Sequence, residues 1–152
     1  MPVMTTTPPR TAALHEVPIG DPRVTTDVGP LIRALRPALD EQAFAAFATE
    51  AQAQGLVFTA AYDEAGHCLG VAAHRVLATS RGRILFVDDL VTDPDRRSGG
   101  TGALLLAALK SRAREEGCVR VELDSGVTNQ GAHRFYHRHG LTIGALHFAV
   151  EV

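Results

Sequence analysis

At 152 residues the chain is sized for one domain and can bury a core without disulfide or metal staples. Hydrophobic residues make up 45% and charged residues 21%, an ordinary globular balance, and the formal charge is −2. With a single lysine, Lys110, and no Lys/Arg run, the sequence offers no footprint for a polyanion, so nucleic acid is excluded as the main partner. No stretch approaches the ~20 apolar residues of a membrane span. Cys68 and Cys118 stand apart and belong to no CxxC or Cys/His zinc pattern, so they read as apolar fillers in a reduced compartment. The Thr/Pro-rich start, Met1 to Arg10, has no apolar signal region. Residues 1–11 are therefore expected to be a disordered tail, residues 12–152 one domain, and the cytoplasm its location.

In chain order, Ala12 to Ile19 predicts an edge strand closed by Gly20-Asp21-Pro22. Leu31 to Arg36 predicts a short helix stopped by Pro37. Asp40 suits the cap of a second helix, Glu41 to Gln54, whose Phe44, Phe47, Ala48 and Ala51 step by three and four before Gly55. Three strands follow, Leu56 to Tyr62, Cys68 to Leu77 and Arg83 to Thr92, with hairpin turns at Asp63-Glu64-Ala65-Gly66 and Ala78 to Gly82. A Gly-rich loop, Ser98 to Gly102, opens a helix from about Ala103 to Glu116, and Leu105, Ala108, Leu109 and Ala113 form its apolar stripe. Val119, Val121 and Leu123 alternate with charged residues as a strand. Gly131 to His139 reads as a helix, and Leu141 to Val152 as a final strand. The order implies an α+β domain in which one crossover helix joins two parallel strands of a mostly antiparallel sheet.

The segment Asp93 to Gly102 runs from a strand into a helix. Its glycines let successive amides converge, and the helix N-terminus adds positive potential, which together suit a pyrophosphate. A Walker A loop needs a Gly-Lys pair that is absent. The dinucleotide fingerprint would need glycine where Leu105 stands. What remains is Arg97-x-x-Gly100-x-Gly102. A plain flexible turn would also use glycines, but its place between an apolar strand and an amphipathic helix favours the anion cradle.

Arg97-x-x-Gly100-x-Gly102 followed by Ala103-Leu104-Leu105 resembles the acetyl-CoA loop and helix of the GNAT acetyltransferases. Downstream, Asn129, Ala132, Phe135 and Tyr136 match that superfamily's N-x-x-A-x-x-F-Y motif. The likeness covers Leu56 to Leu141 and extends to earlier residues by element order. Glu122 to Val127, Ala132 to Tyr136 and His147-Phe148 further resemble the aminoalkylphosphonate acetyltransferase branch. The resemblance implies a single-domain GNAT fold: a mixed, mostly antiparallel twisted sheet, about four helices and a central splayed pair of parallel strands.

It also implies acetyl-CoA as co-substrate and a small amine as acceptor, joined by direct attack in a ternary complex. The amides of Arg97, Ser98, Gly99, Gly100, Thr101 and Gly102 would take the pyrophosphate. Leu90 and Val91 would pair with the pantetheine arm, with the Leu90 amide aimed at the acetyl oxygen. Tyr136 would be the general acid for the departing thiolate, while Phe135 would be a core residue. Asn129 would bond the coenzyme or cap its helix, and either reading fits.

Asp88 and Asp89 interrupt an apolar run, and in a plain strand they would face opposite sides, one of them meeting the core. Asp88 is the expected base, because related families place an acid there. Asp89 would attract the ammonium or hold a backbone group, and a structural carboxylate at a β-bulge remains the alternative for each. Ser125 and His147 are expected near the acceptor, with Glu122 and Asp124 as further lining groups. His133 and His137 share a helix face without a third ligand in sequence, so no metal is expected. Where many GNAT proteins end in two strands, only one is expected after Gly140, so either the sheet is shorter or a partner chain completes its edge, and a homodimer is expected. A non-catalytic acyl-CoA-binding module and an acetyltransferase acting on a protein amine stay open as alternatives.

Overall fold

The structure, a computed structural model, describes residues 12–152, apart from the side chains of Arg97 and Ser98. The expected tail at 1–11 lies outside the described residues. Among the described residues, five strands, β1 (Ala13–Glu16), β2 (Val57–Tyr62), β3 (Cys68–Thr79), β4 (Gly82–Thr92) and β5 (Arg120–Leu123), form one sheet in that order. The pairs from β1 to β4 are antiparallel, and β4 with β5 is parallel. The helices are α1 (Gly29–Leu35), α2 (Glu41–Ala53), α3 (Thr101–Glu115) and α4 (Gln130–Arg138). Among the described residues, no helix is long and apolar enough to cross a membrane.

Local chemistry accounts for most boundaries. β1 ends before Pro18, which has no N–H to give a ladder. Val17 makes the last bond, donating its amide to the Phe58 carbonyl at 2.9 Å. A π-helical turn over Val24–Val28 feeds α1, which starts at Gly29, earlier than expected. Pro30 fits the first turn because an N–H there has no helical partner. Asp40 caps α2 by accepting from the Ala43 amide at 2.7 Å. Gly55, just past the helix, takes the left-handed φ of +92°.

Period-2 alternation splits the core across the two sheet faces. Phe58, Ala60, Tyr62, Val71 and Ala73 pack with Ile32 of α1 and Phe44, Ala48 and Ala51 of α2. Ala61, Ala72, Leu85 and Val87 pack with Leu105, Leu109 and Ala113 of α3. Gly70 sets how closely α3 approaches β3. A Cβ there would lie 2.9 Å from Thr101 Cγ2 and 3.0 Å from the Val91 carbonyl oxygen. Gly70→Ala is therefore expected to lower stability by about 1–3 kcal/mol, read by denaturant unfolding, since the backbone oxygen cannot give way. A midpoint equal to the parent's would mean that α3 shifts freely.

One expected element is corrected. Leu141 to Val152 forms no strand, and its last backbone bond among the described residues is from the Leu141 amide to the Tyr136 carbonyl. The alternating pattern is present, but a strand exists only through a neighbour's ladder, and this segment reaches no edge of its own sheet.

Candidate active site

Register decides where the two aspartates point. Ala73 pairs with Asp89 while the next residue, His74, pairs with Val87, so Asp88 is an extra residue in β4. Without this bulge, residues 85, 87, 89 and 91 would share the α3 face. With it, Val91 joins the α1–α2 core and Leu90 the α3 core, and Asp89 moves to the α1–α2 side, opposite Ala73.

The acids meet different arginines. Asp88 accepts from Arg75 Nε and Nη2, both at 3.1 Å, in a two-pronged pair. Asp89, with a side chain 9% exposed, accepts from Arg36 Nη2 at 2.8 Å and Nε at 3.2 Å. Both bonds fall on Oδ1, leaving Oδ2 without a protein donor among the described residues. Burial pushes the Asp89 carboxyl above its ordinary value, against the pull of Arg36. Asp89 lines a cavity of about 390 Å³ with Ile32, Arg36, Ala38, Leu39 and Phe47. Arg36 reaches it because α1 has ended and the residue before Pro37 has left the helical conformation, at φ −122° and ψ 78°. Sequence reasoning missed Arg36, Arg75 and this apolar wall. The only available signal was that two buried acids require partners.

On the other flank, β5 pairs with β4 only from Ile84 to Val87. The five β4 residues beyond, Asp88 to Thr92, which include Leu90 and Val91, have no strand partner on that side among the described residues. The chain then turns through Asp93, whose carboxylate accepts from the Asp95 amide at 2.9 Å. A 3₁₀ segment, Pro94–Gly99, leads to Gly100 at φ +75°, a conformation open to glycine at no steric cost. α3 begins at Thr101 with no side-chain cap among the described residues, which leaves the amides of its first turn open to an external acceptor. Gly99 is exposed, Thr101 is buried, and the side chains of Arg97 and Ser98 lie outside the described residues. Gly102 faces α4, where a Cβ would stand 3.3 Å from Phe135 Cζ.

On α4, Asn129 is the cap: its side chain accepts from the Ala132 amide at 3.2 Å. Tyr136 is half-buried, and burial alone raises its pKa. Its ring meets Phe135 edge-on at 5.4 Å. His133 Nε2 lies 2.8 Å from the Gly126 carbonyl and His137 Nδ1 3.1 Å from that of Leu141, so both rings are tied to backbone. Ser125 is half-buried in the loop after β5, and beside it Asp124 pairs with His147 at 3.0 Å. Contacts thus join Asp89 to the α1–α2 wall and Phe135 to the α3 entrance, while Ser125 and His147 gather by the β5 exit.

The profile of the acetyltransferase (GNAT) family matches residues 26–141. A curated relative, an uncharacterised N-acetyltransferase of Bacillus subtilis named YhdJ, is 40% identical over 73 residues, 47% of this chain and 51% of that protein. The chain thus spans about half the length of the curated relative it matches. Among solved structures, an aminoglycoside N-acetyltransferase, AAC(6')-Iy, in complex with CoA is similar at a TM-score of 0.77 and 19% identity, over 94% of this chain and 97% of that one. A ribosomal-protein-alanine N-acetyltransferase from Brucella melitensis biovar Abortus gives 0.77 at 14% identity, over 93% and 100%. An acetyltransferase from Trypanosoma brucei gives 0.75 at 22%, over 93% and 100%. At these identities the structural likeness is one of fold. The profile match runs from the turn before α1 to the end of α4 and takes in the Gly-rich loop, the bulged strand and Tyr136: the chain belongs to the acetyltransferase (GNAT) family.

Proposed function

We propose that the protein transfers an acetyl group from acetyl-CoA to the primary amine of a small molecule, by direct attack with both substrates bound. The observation that carries this reading is the split between β4 and β5 beside the uncapped start of α3. That arrangement offers a free strand edge next to a cluster of free amides, which fits an extended arm ending in a diphosphate. The CoA bound to the similarly folded aminoglycoside acetyltransferase supports the same assignment.

Acetyl-CoA supplies the activated thioester. The backbone amides from Arg97 to Gly102 hold its diphosphate, and those of Leu90 and Val91 hold the arm, with Leu90 donating to the acetyl oxygen. Tyr136 keeps its proton at neutral pH, because burial raises its pKa, and gives it to the sulfur side. Asp89 receives the acceptor's ammonium in the cavity beside Arg36 and takes its proton. Asp88, favoured by resemblance alone, is held by two bonds from Arg75 and serves to fix the bulge that aims Asp89. Asn129 acts as a helix cap. Ser125 and His147 border the acceptor side.

The test is release of free thiol with a panel of aminoalkylphosphonates, polyamines and amino acids, alongside thermal stabilisation by acetyl-CoA. Stabilisation together with thiol release for at least one amine is the expected outcome. Stabilisation with no amine turned over would make the protein a binding module.

A further inference from the structure

We propose that the acceptor is a free α-amino acid with an apolar side chain. Its ammonium goes to Asp89, its carboxylate to Arg36, and its side chain to the wall of Ile32, Leu39 and Phe47. The inference rests on the acetyl-transfer reading and narrows the acceptor within it.

The first observation is the charge balance of the cavity of about 390 Å³. Among the described residues that line it, only Arg36 and Asp89 are charged, and together they sum to zero. Arg33, also on α1, does not line it and donates its Nε to the Leu39 carbonyl at 3.2 Å. The adjoining Asp88 is closed on Arg75. A bare amine enters such a site carrying one uncompensated positive charge, and a diamine carries two. An ionised phosphonate leaves an excess of negative charge. An α-amino acid enters neutral overall yet still presents one charge to each partner, so no ion is desolvated without an opposite beside it.

The second observation is which atoms are still free. Arg36 spends Nε and Nη2 on Asp89 Oδ1, so Nη1 has no acceptor and Asp89 Oδ2 no donor among the described residues. The pair therefore keeps one free donor group and one free acceptor atom, on side chains held 2.8 Å apart. The ammonium and carboxylate of an α-amino acid hang from one carbon and match that close spacing of opposite charges. Planar guanidinium is well suited to a carboxylate.

The third observation is the wall. Ile32 is buried, and Leu39 and Phe47 pack partly against the α1–α2 core, so the far side offers an aliphatic or aromatic chain only apolar contact. A charged side chain would meet no partner there. The reaction itself is unchanged. The amino nitrogen forms its bond to the acetyl carbon as the C–S bond breaks, giving an N-acetylamino acid, free CoA thiol and one proton.

The test compares thiol release with L-phenylalanine, L-phenylalaninamide and phenethylamine, which share a side chain and differ at the carboxylate. In the parent, kcat/KM for the free acid is expected to exceed the other two by about tenfold or more. Arg36→Gln lowers all three through its hold on Asp89, but the ratio among them should shrink to within about threefold, because only the acid loses a direct contact. Across alanine, valine and leucine, kcat/KM should rise about threefold per carbon, and aspartate and lysine should fall at least about tenfold below leucine. Phe47→Ala should flatten that rise. An amide or amine used as well as the acid, or an acid preference that survives Arg36→Gln, would overturn the proposal while acetyl transfer stands. If acetyl-CoA stabilises the protein but no amine releases thiol, acetyl transfer itself fails. The site is then judged by melting shifts with millimolar L-phenylalanine: a shift in the parent that is lost in Arg36→Gln supports it, and a shift absent from the parent or retained by the variant overturns it.

Discussion

Tyr136→Phe is expected to lower kcat by about 10²-fold while leaving the dissociation constant of acetyl-CoA essentially unchanged. The ring contributes packing, edge-on to Phe135 at 5.4 Å, and phenylalanine keeps that contact. Only the hydroxyl is deleted. Among the described residues it has no hydrogen-bond partner, so its removal orphans nothing in the fold. The cap of α4 rests on Asn129, which the substitution does not touch. Burial raises the phenol's pKa, so the tyrosine enters the reaction protonated at neutral pH and retains that proton well into the alkaline range. A second readout follows. If Tyr136 donates to the thiolate, activity of the parent falls on an alkaline limb as the phenol ionises, and that limb disappears from the residual activity of the phenylalanine variant. An unchanged kcat under conditions where chemistry limits turnover would remove Tyr136 from the proton path.

The parts of this molecule written in local chemistry were legible in its sequence. Asp40 before an apolar 3–4 pattern, Gly55 after it, and the glycines ahead of Leu105 named helix boundaries because caps and left-handed turns depend on a few neighbouring residues. The strand order followed from hairpin turns and one crossover helix for the same reason. The bulge in β4 was not legible as a fact. Adjacent aspartates inside an apolar run are compatible with a plain strand or a bulged one, and the choice is made by the register with β3, a long-range property. The partners Arg36 and Arg75 were invisible for a related reason: one comes from the end of a helix 53 residues away, the other from the facing strand. The last twelve residues show the opposite failure. Their alternation predicts a strand, yet they form none, because a pattern specifies a face and not the neighbouring ladder that makes a strand.

That re-aimed carboxylate gives the second large effect. Asp89→Asn is expected to reduce kcat/KM by about 10²-fold, because it removes both the anion that captures an ammonium and the acceptor of its proton. In the parent, the acid limb of kcat/KM should lie above the ordinary carboxylate range, since burial raises this pKa more than Arg36 lowers it. The same shift fixes the sign of the effect on stability. An aspartate whose folded pKa exceeds its unfolded value binds its proton more tightly in the native state. Its favourable contribution is fully present below the unfolded value and is lost as pH rises through the folded one. Asparagine does not titrate. The melting temperature of Asp89→Asn relative to the parent should therefore increase from acid to neutral pH, although the variant is the less active enzyme. The abandoned Arg36 matters little to this comparison, because its side chain is 59% exposed and can return to water. A relative melting temperature that instead falls toward neutral pH would mean that the ion pair with Arg36 outweighs burial, and that Asp89 is an anchor for α1 rather than a base held ready for an amine.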